Sequence, residues 1–415
     1  MIKKITVYKA VILGLATALS LVSGVPALAK QDATPNEPQE KNAKVCIKDA
    51  RKLDEQAAVC HARVIVDAKG NPKVAPQPAG LSPVQLRSAY NVSGVNLPIG
   101  SNRVIAIVDA YDHPNAFSDL TTYSQTFNIQ PQISQCAAST GTAAAPCFQK
   151  VNQRGTAQPP QADPGWALEI SLDIQAARAM CPGCSILLVE ADSSSYGNLM
   201  TAVDQAVTMG AKIISNSYGS NEFASEAAND SHFNKPGVAF TVSSGDAGYG
   251  VEYPASSPYV TAVGGTSLTM NNLTRVSETA WSGAGSGCSG YEPLTSSQTA
   301  DATCSKRKVS DVSAVADPST GAAVYDSFRY QGRAGWFKVG GTSLAAPVIA
   351  GVYALAGAST YSSIPANSLP YLNTASLNDI LTGSNGSCGS TYLCTAKPGY
   401  DGPTGLGTPK GLGGF

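Results

Sequence analysis

Residues 340–351 read GGTSLAAPVIAG, two glycines followed by small and apolar residues. The glycines allow a sharp turn, and the alanine-rich run that follows is a helix, which places Ser343 in its first turn. A serine there holds its Oγ clear of the backbone. Its own N–H faces whatever approaches, and the helix dipole favours negative charge beside it. Acyl-transfer nucleophiles are presented in this way. A serine that merely caps a helix packed through Ala345, Ala346 and Ala350 would read the same, so the motif must be weighed with the rest of the chain.

Working outward, short apolar and β-branched runs alternate with helical patterns. The runs are RVIAIVDA at 103–110, SILLVEAD at 185–192, KIISNSYG at 212–219, VAFTVSSGD at 238–246 and YVTAVGGTSL at 259–268. Strands apolar on both faces belong in a buried parallel sheet. Helical patterns fall at 165–180, 196–209 and 343–358. The order predicts an α/β fold, a doubly wound domain whose mostly parallel central sheet is flanked by helices, with active groups at the carboxyl ends of the strands. Residues 281–327, rich in Gly, Ser, Thr and Asn, read as surface loops. VGGTSL occurs twice, at 263–268 and 339–344. Ser267 ends a strand and meets a turn, whereas Ser343 is followed by Ala-Ala-Pro and a helix, so Ser267 is set aside.

The N-terminus carries Lys3, Lys4 and Lys9, an apolar run at 10–22 and Ala27-Leu28-Ala29. This is the pattern of a secretory signal peptide over 1–29, too short to span a bilayer. No later stretch is long and apolar enough to be transmembrane. The ten cysteines fall as close neighbours, Cys46 with Cys60, Cys136 with Cys147, Cys181 with Cys184, Cys288 with Cys304 and Cys388 with Cys394. Five local disulfides suit an exported protein, secreted to the medium or the periplasm. Cys181-Pro-Gly-Cys184 could alternatively be a redox or zinc pair. Only 14% of residues are charged and the formal net charge is -1, which points away from nucleic acid and anionic membranes and is compatible with low pH. Residues 30–80 are polar and Pro-rich and read as a short leader or arm; a folded domain begins at Leu81.

A serine nucleophile needs a base. The three histidines, His61 in the leader, His113 before Pro114 and His232 in a polar segment, stand in no motif. Carboxylates are better placed. Glu169 and Asp173 are four apart, on one face of the helical pattern in mostly apolar surroundings, with no basic residue one turn on. Such a pair can share a proton, although a solvated helix face has the same spacing. Asp246 ends the run VAFTVSSGD, where it is a turn-former, a ligand or, if protonated, a donor to an oxyanion.

LSPVQLRSAYNV at 81–92, the Glu169-x-x-x-Asp173 helix, SSGDAG with Asp246, PYVTAVGGTSL, GGTSLAAPVIAG, NDILTGSNG and GYDGPTGLGTP together resemble the sedolisin family, serine-carboxyl peptidases of subtilisin-like fold, over residues 81–415. The resemblance implies Ser343 as nucleophile, Glu169 as general base, Asp173 as its proton-sharing partner and Asp246 in the oxyanion hole with the Ser343 N–H. It implies action confined to acid, polypeptide substrates, and a backbone-pairing strand at Ser217-Tyr218-Gly219. It also implies one calcium ion held by Asp379 and Asp401 and by the carbonyls of Ile380, Lys397 and Gly399; the family commonly has Gly where Lys397 stands. Members usually carry a long folded prodomain, which the segment 30–80 is too short to supply. Two further readings are a subtilisin-like neutral protease using Asp109 and His113, and a secreted pseudopeptidase that binds peptides without cutting. The chain is expected to act as a monomer, free of membrane once the signal is removed.

Overall fold

The computed structural model describes residues 40–47, 57–97, 101–136, 146–357 and 364–415. The expected signal peptide lies outside them. At the centre stands a sheet of nine strands among the described residues. Its parallel heart is β6 (Cys147–Asn152), β7 (Ser185–Ala191), β4 (Val104–Ala110), β8 (Ile213–Asn216), β10 (Ala239–Ser243) and β12 (Thr261–Asn271), in that spatial order. β5 (Ser134–Gln135) extends one end in parallel and β13 (Thr274–Ala280) closes the other as an antiparallel edge. Sequence and structure agree on this sheet because β4, β7, β8 and β10 are buried along nearly their whole length, and only strands covered on both faces read as unbroken apolar runs.

One strand was hidden. β16 (Val312–Val315) lies inside the stretch expected to be surface loops, yet it pairs in parallel with β12, Val263 opposite Val312 through Thr266 opposite Val315, and is fully buried. Its small Val-Ser-Ala-Val run carries little apolar signal of its own; it is buried because Gly264 and Gly265 let neighbouring chain approach. A Cβ on Gly265 would fall 2.6 Å from Ala316 and 3.1 Å from Trp281. The short pair β14 (Gly287–Cys288) and β15 (Lys308–Val309) lies in the same stretch.

Among the described residues, five helices of seven residues or more pack around the sheet: α1 (Pro83–Ala89), α2 (Ala116–Thr126), α3 (Pro164–Met180), α4 (Tyr196–Thr208) and α5 (Thr342–Ala356). α3 starts at Asp163, whose side chain accepts from the N–H groups of Gly165 and Trp166, and Pro164 occupies the first turn, where no N–H is needed. From Trp166 to Met180 every residue of α3 is buried, so the solvated-face reading of Glu169 and Asp173 does not hold. α3 and α5 touch closely through Gly351, where a Cβ would fall 2.4 Å from that of Met180; Ala at this position would cost about 1–3 kcal/mol by overpacking.

The segment read as a leader or arm is woven into the body. β1 (Asn42–Lys44) pairs with β3 (Arg63–Ile65), and β3 pairs with β18 (Arg333–Gly340), itself the antiparallel neighbour of β17 (Ala322–Tyr330). β2 (Val59–Cys60) pairs antiparallel with β9 (Tyr218–Asn221), which also carries β11 (Glu252–Tyr253). All ten cysteines form the five neighbour pairs expected, Cys181–Cys184 included, which leaves that pair no free thiolate for zinc. Among the described residues no helix is long and apolar enough to cross a membrane.

Candidate active site

Gly341 makes the turn into α5 with φ 99°, a conformation that favours glycine, and a side chain there would have no room. Its absent Cβ would collide with both the His61 carbonyl oxygen and Asp246 Oδ2. Ser343 follows in the first turn, fully buried. Pro347 lies one turn further along and has no N–H for the Ser343 carbonyl, which instead receives the Ser217 hydroxyl at 3.4 Å. The Ser343 hydroxyl lies 3.3 Å from the Ser217 carbonyl.

Asp246 follows β10 at the carboxyl end of the sheet. Its Oδ1 accepts from the Thr342 N–H at 2.8 Å and the Thr342 hydroxyl at 2.9 Å, while Oδ2 has no hydrogen-bond partner among the described residues. Burial raises its pKa to about 6, against the pull of His61 and of the Thr342 N–H. A carboxyl anchored by one oxygen and protonated on the other is a donor aimed at the turn.

Glu169 and Asp173 project from one face of α3, both fully buried, and no oxygen of either closes a well-formed hydrogen bond among the described residues. Burial lifts Glu169 well above the carboxylate range, aided by the charges of Asp173 and Asp109 and opposed by the nearby Ser343 hydroxyl. Asp173 is raised to about 8 by burial, with Ser217 and Glu169 pulling it back. Asp109, at the end of β4, is raised by burial and then by Asp173 and Glu190. The four sequence candidates Glu169, Asp173, Asp246 and Ser343 therefore converge at one end of the sheet. Asp109 joins them as a third buried acid that sequence reasoning had set in a different role. The only signal was its place at a strand end beside the others.

The pairing of Asp109 with His113 is not formed. The His113 ring is used elsewhere: Nε2 is 2.9 Å from the Ser171 hydroxyl and 3.4 Å from Asp119, and Nδ1 accepts from the Asn115 N–H at 3.3 Å. His113, Asp119 and Asp326 form a buried cluster with ligand-like spacing, but Asp119 is already bonded by the Ser327 N–H and hydroxyl. His232 bonds Asp204 on the surface.

Ser217, Tyr218 and Gly219 lie where β8 gives way to β9, and a strand is paired with them: β2, from the chain itself. At the C-terminus β19 (Leu377–Asn378) and β20 (Thr408–Pro409) bring the expected calcium residues together. Asp379 Oδ2 accepts from the Gly399 N–H at 2.8 Å, and Asp401 Oδ2 from the Lys397 N–H at 3.2 Å. The Lys397 ammonium turns away to the Ser390 carbonyl, so it does not neutralise the two acids. Asp401 Oδ1 is also bonded by the Thr404 N–H and hydroxyl, so of the two acids Asp379 is the more open to a hard divalent cation.

Residues 165–387 match the subtilase family. The chain is 31% identical to sedolisin of Pseudomonas sp. (strain 101) over 380 residues, covering 79% of this chain and 60% of that protein. It belongs to the subtilase family, and within it is similar to the sedolisins. Kumamolisin of Bacillus sp. (strain MN-32) is 30% identical over 323 residues, covering 68% of this chain and 56% of its own length. The chain thus spans little more than half the length of these relatives. The solved structure of Pseudomonas sedolisin, a serine-carboxyl proteinase complexed with pseudo-iodotyrostatin, superposes with a TM-score of 0.66 at 27% identity, covering 80% of this chain and 96% of that one. A lanthipeptide protease shares the fold, with a TM-score of 0.50 at 16% identity. The subtilisin-like α/β architecture expected for this sedolisin relative is therefore the one it has.

Proposed function

We propose that this chain is an exported serine-carboxyl endopeptidase that hydrolyses polypeptides in acid. One observation carries the reading: the Ser343 N–H meets a peptide carbonyl oxygen beside the unbonded oxygen of Asp246, with the Glu169–Asp173 pair buried behind the serine. Ser343 Oγ attacks the carbonyl carbon as Glu169 takes its proton. Asp173 shares that proton load; two buried acids this close titrate as one pair, which must release a proton before Glu169 acts as base. Asp246, protonated, and the Ser343 N–H stabilise the oxyanion. Glu169 then protonates the leaving amine, and water repeats the sequence to free the enzyme. As pH rises through about 6, Asp246 loses the proton it donates, and activity falls.

The test is cleavage of a denatured protein at about pH 4 and about pH 7.5. Wild-type activity at the lower pH alone, lost in Ser343→Ala and in Glu169→Gln, supports the mechanism; a folded wild type that cuts at neither pH would make the chain a peptide-binding pseudopeptidase. We further propose that Asp379 and Asp401, with the carbonyls of Ile380, Lys397 and Gly399, hold a calcium ion that ties the C-terminal loop to the body. Chelation should lower the melting temperature, and calcium should restore it; a melting curve indifferent to both would refute the site.

A further inference from the structure

Four acids gather beside the paired strands β9 and β11, which carry on from the Ser217-Tyr218-Gly219 edge. Glu222 follows β9 directly. Its Oε2 accepts from the Gly290 N–H at 2.9 Å and its Oε1 from the Ser289 hydroxyl, whose oxygen accepts from the N–H groups of Tyr291 and Glu292 at 3.0 and 2.7 Å. Glu226 and Asp230 stand on a short 3-10 helix (Glu226–His232). Glu226 accepts from the Phe223 N–H at 2.7 Å and the Ser256 hydroxyl at 2.9 Å, and Asp230 from the Tyr253 hydroxyl of β11 at 3.3 Å. Glu292, in the turn that Glu222 holds, is fully buried beside Asp230, and neither of its oxygens closes a well-formed hydrogen bond among the described residues.

The charged groups on the surrounding segments are committed elsewhere. Lys306 Nζ donates to the carbonyls of Gly290 and Tyr291 at 2.7 and 3.3 Å, the Arg307 guanidinium holds Asp311, and His232 and Lys235 pair with Asp204 of α4. Glu252 of β11 is paired with His61. The Tyr196 hydroxyl of α4 donates to the Tyr253 carbonyl at 2.6 Å, and the rings of Tyr196, Phe223 and Tyr253 pack on one another. Burial lifts Glu226 to about 8 against the Phe223 N–H, with the Glu222 charge adding to it. Burial, then the charge of Asp230, lifts Glu292 to about 8, and burial raises Asp230 against the pull of Ser257. Acids in contact hold together while they share protons; ionised together without a cation, they repel.

Building on the peptidase reading above, we propose that Glu222, Glu226, Asp230 and Glu292 are positioning residues, a proton-sharing latch that ties the 289–292 turn to β9 and β11. When its protons leave for solvent the acids part, and the edge that takes a substrate backbone loses its support. Substrate binding then has an upper pH limit of its own, separate from the limit that Asp246 sets on the chemistry. The folded chain binds these protons more tightly than the unfolded chain does. Their contribution to stability is therefore full below the ordinary glutamate value of 4.5 and is lost as pH rises through about 8.

The test reads amide hydrogen exchange in full-length Ser343→Ala protein, with and without Glu292→Gln. At about pH 8 the amides of residues 218–223 and 289–292 should exchange at least about tenfold more slowly in Glu292→Gln, whose side chain cannot ionise. At about pH 4.5 the two proteins should match. Asp230→Asn gives the same comparison if Glu292→Gln does not fold. Equal exchange at about pH 8, or a difference of the same size at both pH values, as a merely structural role would give, would overturn the inference. Protection of these amides alone on adding calcium at about pH 8 would make the cluster a cation site and also overturn it. In active enzyme carrying Asp246→Asn, a donor at every pH, KM for a peptide should rise about tenfold between about pH 6 and pH 8 with kcat little changed, and adding Glu292→Gln should cancel the rise. A KM that Glu292→Gln does not move would count against the latch and leave the peptidase reading intact. No cleavage by any variant at any pH would sink the peptidase reading, while the exchange would still decide the latch.

Discussion

Two sets of buried carboxylates face opposite fates in this molecule. Asp311 is fully buried and fully answered: Arg307 bonds it through both terminal nitrogens, at 2.7 and 2.5 Å, and the Ala262 N–H and Tyr371 hydroxyl add to it at 2.7 and 2.8 Å. Glu169, Asp173 and Asp109 are equally buried and have no such partners among the described residues. Water-excluded acids without a cation cost stability unless they hold protons. A chain keeps that cost where the proton is used. The first set holds the fold; on the mechanism proposed above, the second does the chemistry.

The contrast is open to attack at each end. The largest effect is expected from Glu169→Gln, which should reduce proteolysis about 10,000-fold while leaving the melting temperature unchanged or higher; paired activity and melting assays check it. Asp311→Asn should do the reverse, destabilising by about 3–5 kcal/mol because Arg307 is left buried and unanswered, with the pH limits of the folded enzyme unmoved. Denaturant titration alongside a pH–rate profile reads both. Asp246→Ala should cost about 100- to 1,000-fold in kcat, whereas Asp246→Asn, a donor at every pH, should extend activity toward neutrality. The smallest effect concerns stability against pH. Asp173, raised from 3.8 to about 8, and Asp246, raised from 3.8 to about 6, bind protons in the folded chain that the unfolded chain has released. Their contribution is present below about pH 4 and lost as pH rises through 6 to 8. The melting temperature should fall over that range, and less steeply in Glu169→Gln.

What the sequence disclosed follows the same division. The central strands were legible because burial on both faces leaves unbroken apolar runs, and the helix spacing of Glu169 and Asp173 put two acids on one face whatever their partners. The disulfides followed from neighbouring cysteines. β16 was not legible, because Val-Ser-Ala-Val is short and owes its burial to glycines elsewhere. Nor was His61, which lies 182 residues from Ser243 and 191 from Glu252: only the register of β3 on β18 brings it to Ser343. The Arg307–Asp311 pair is four residues apart and so visible as a charge pair, but its burial comes from surrounding segments and is not signalled locally.

The serine-carboxyl mechanism is tested most directly by the pH dependence of kcat/KM for the wild type between about pH 3 and pH 8. Activity should be present below about pH 6 and disappear above it, with the upper limb displaced upward in Asp246→Asn. Undiminished activity at about pH 7.5, or an upper limb that Asp246→Asn does not move, would contradict the mechanism.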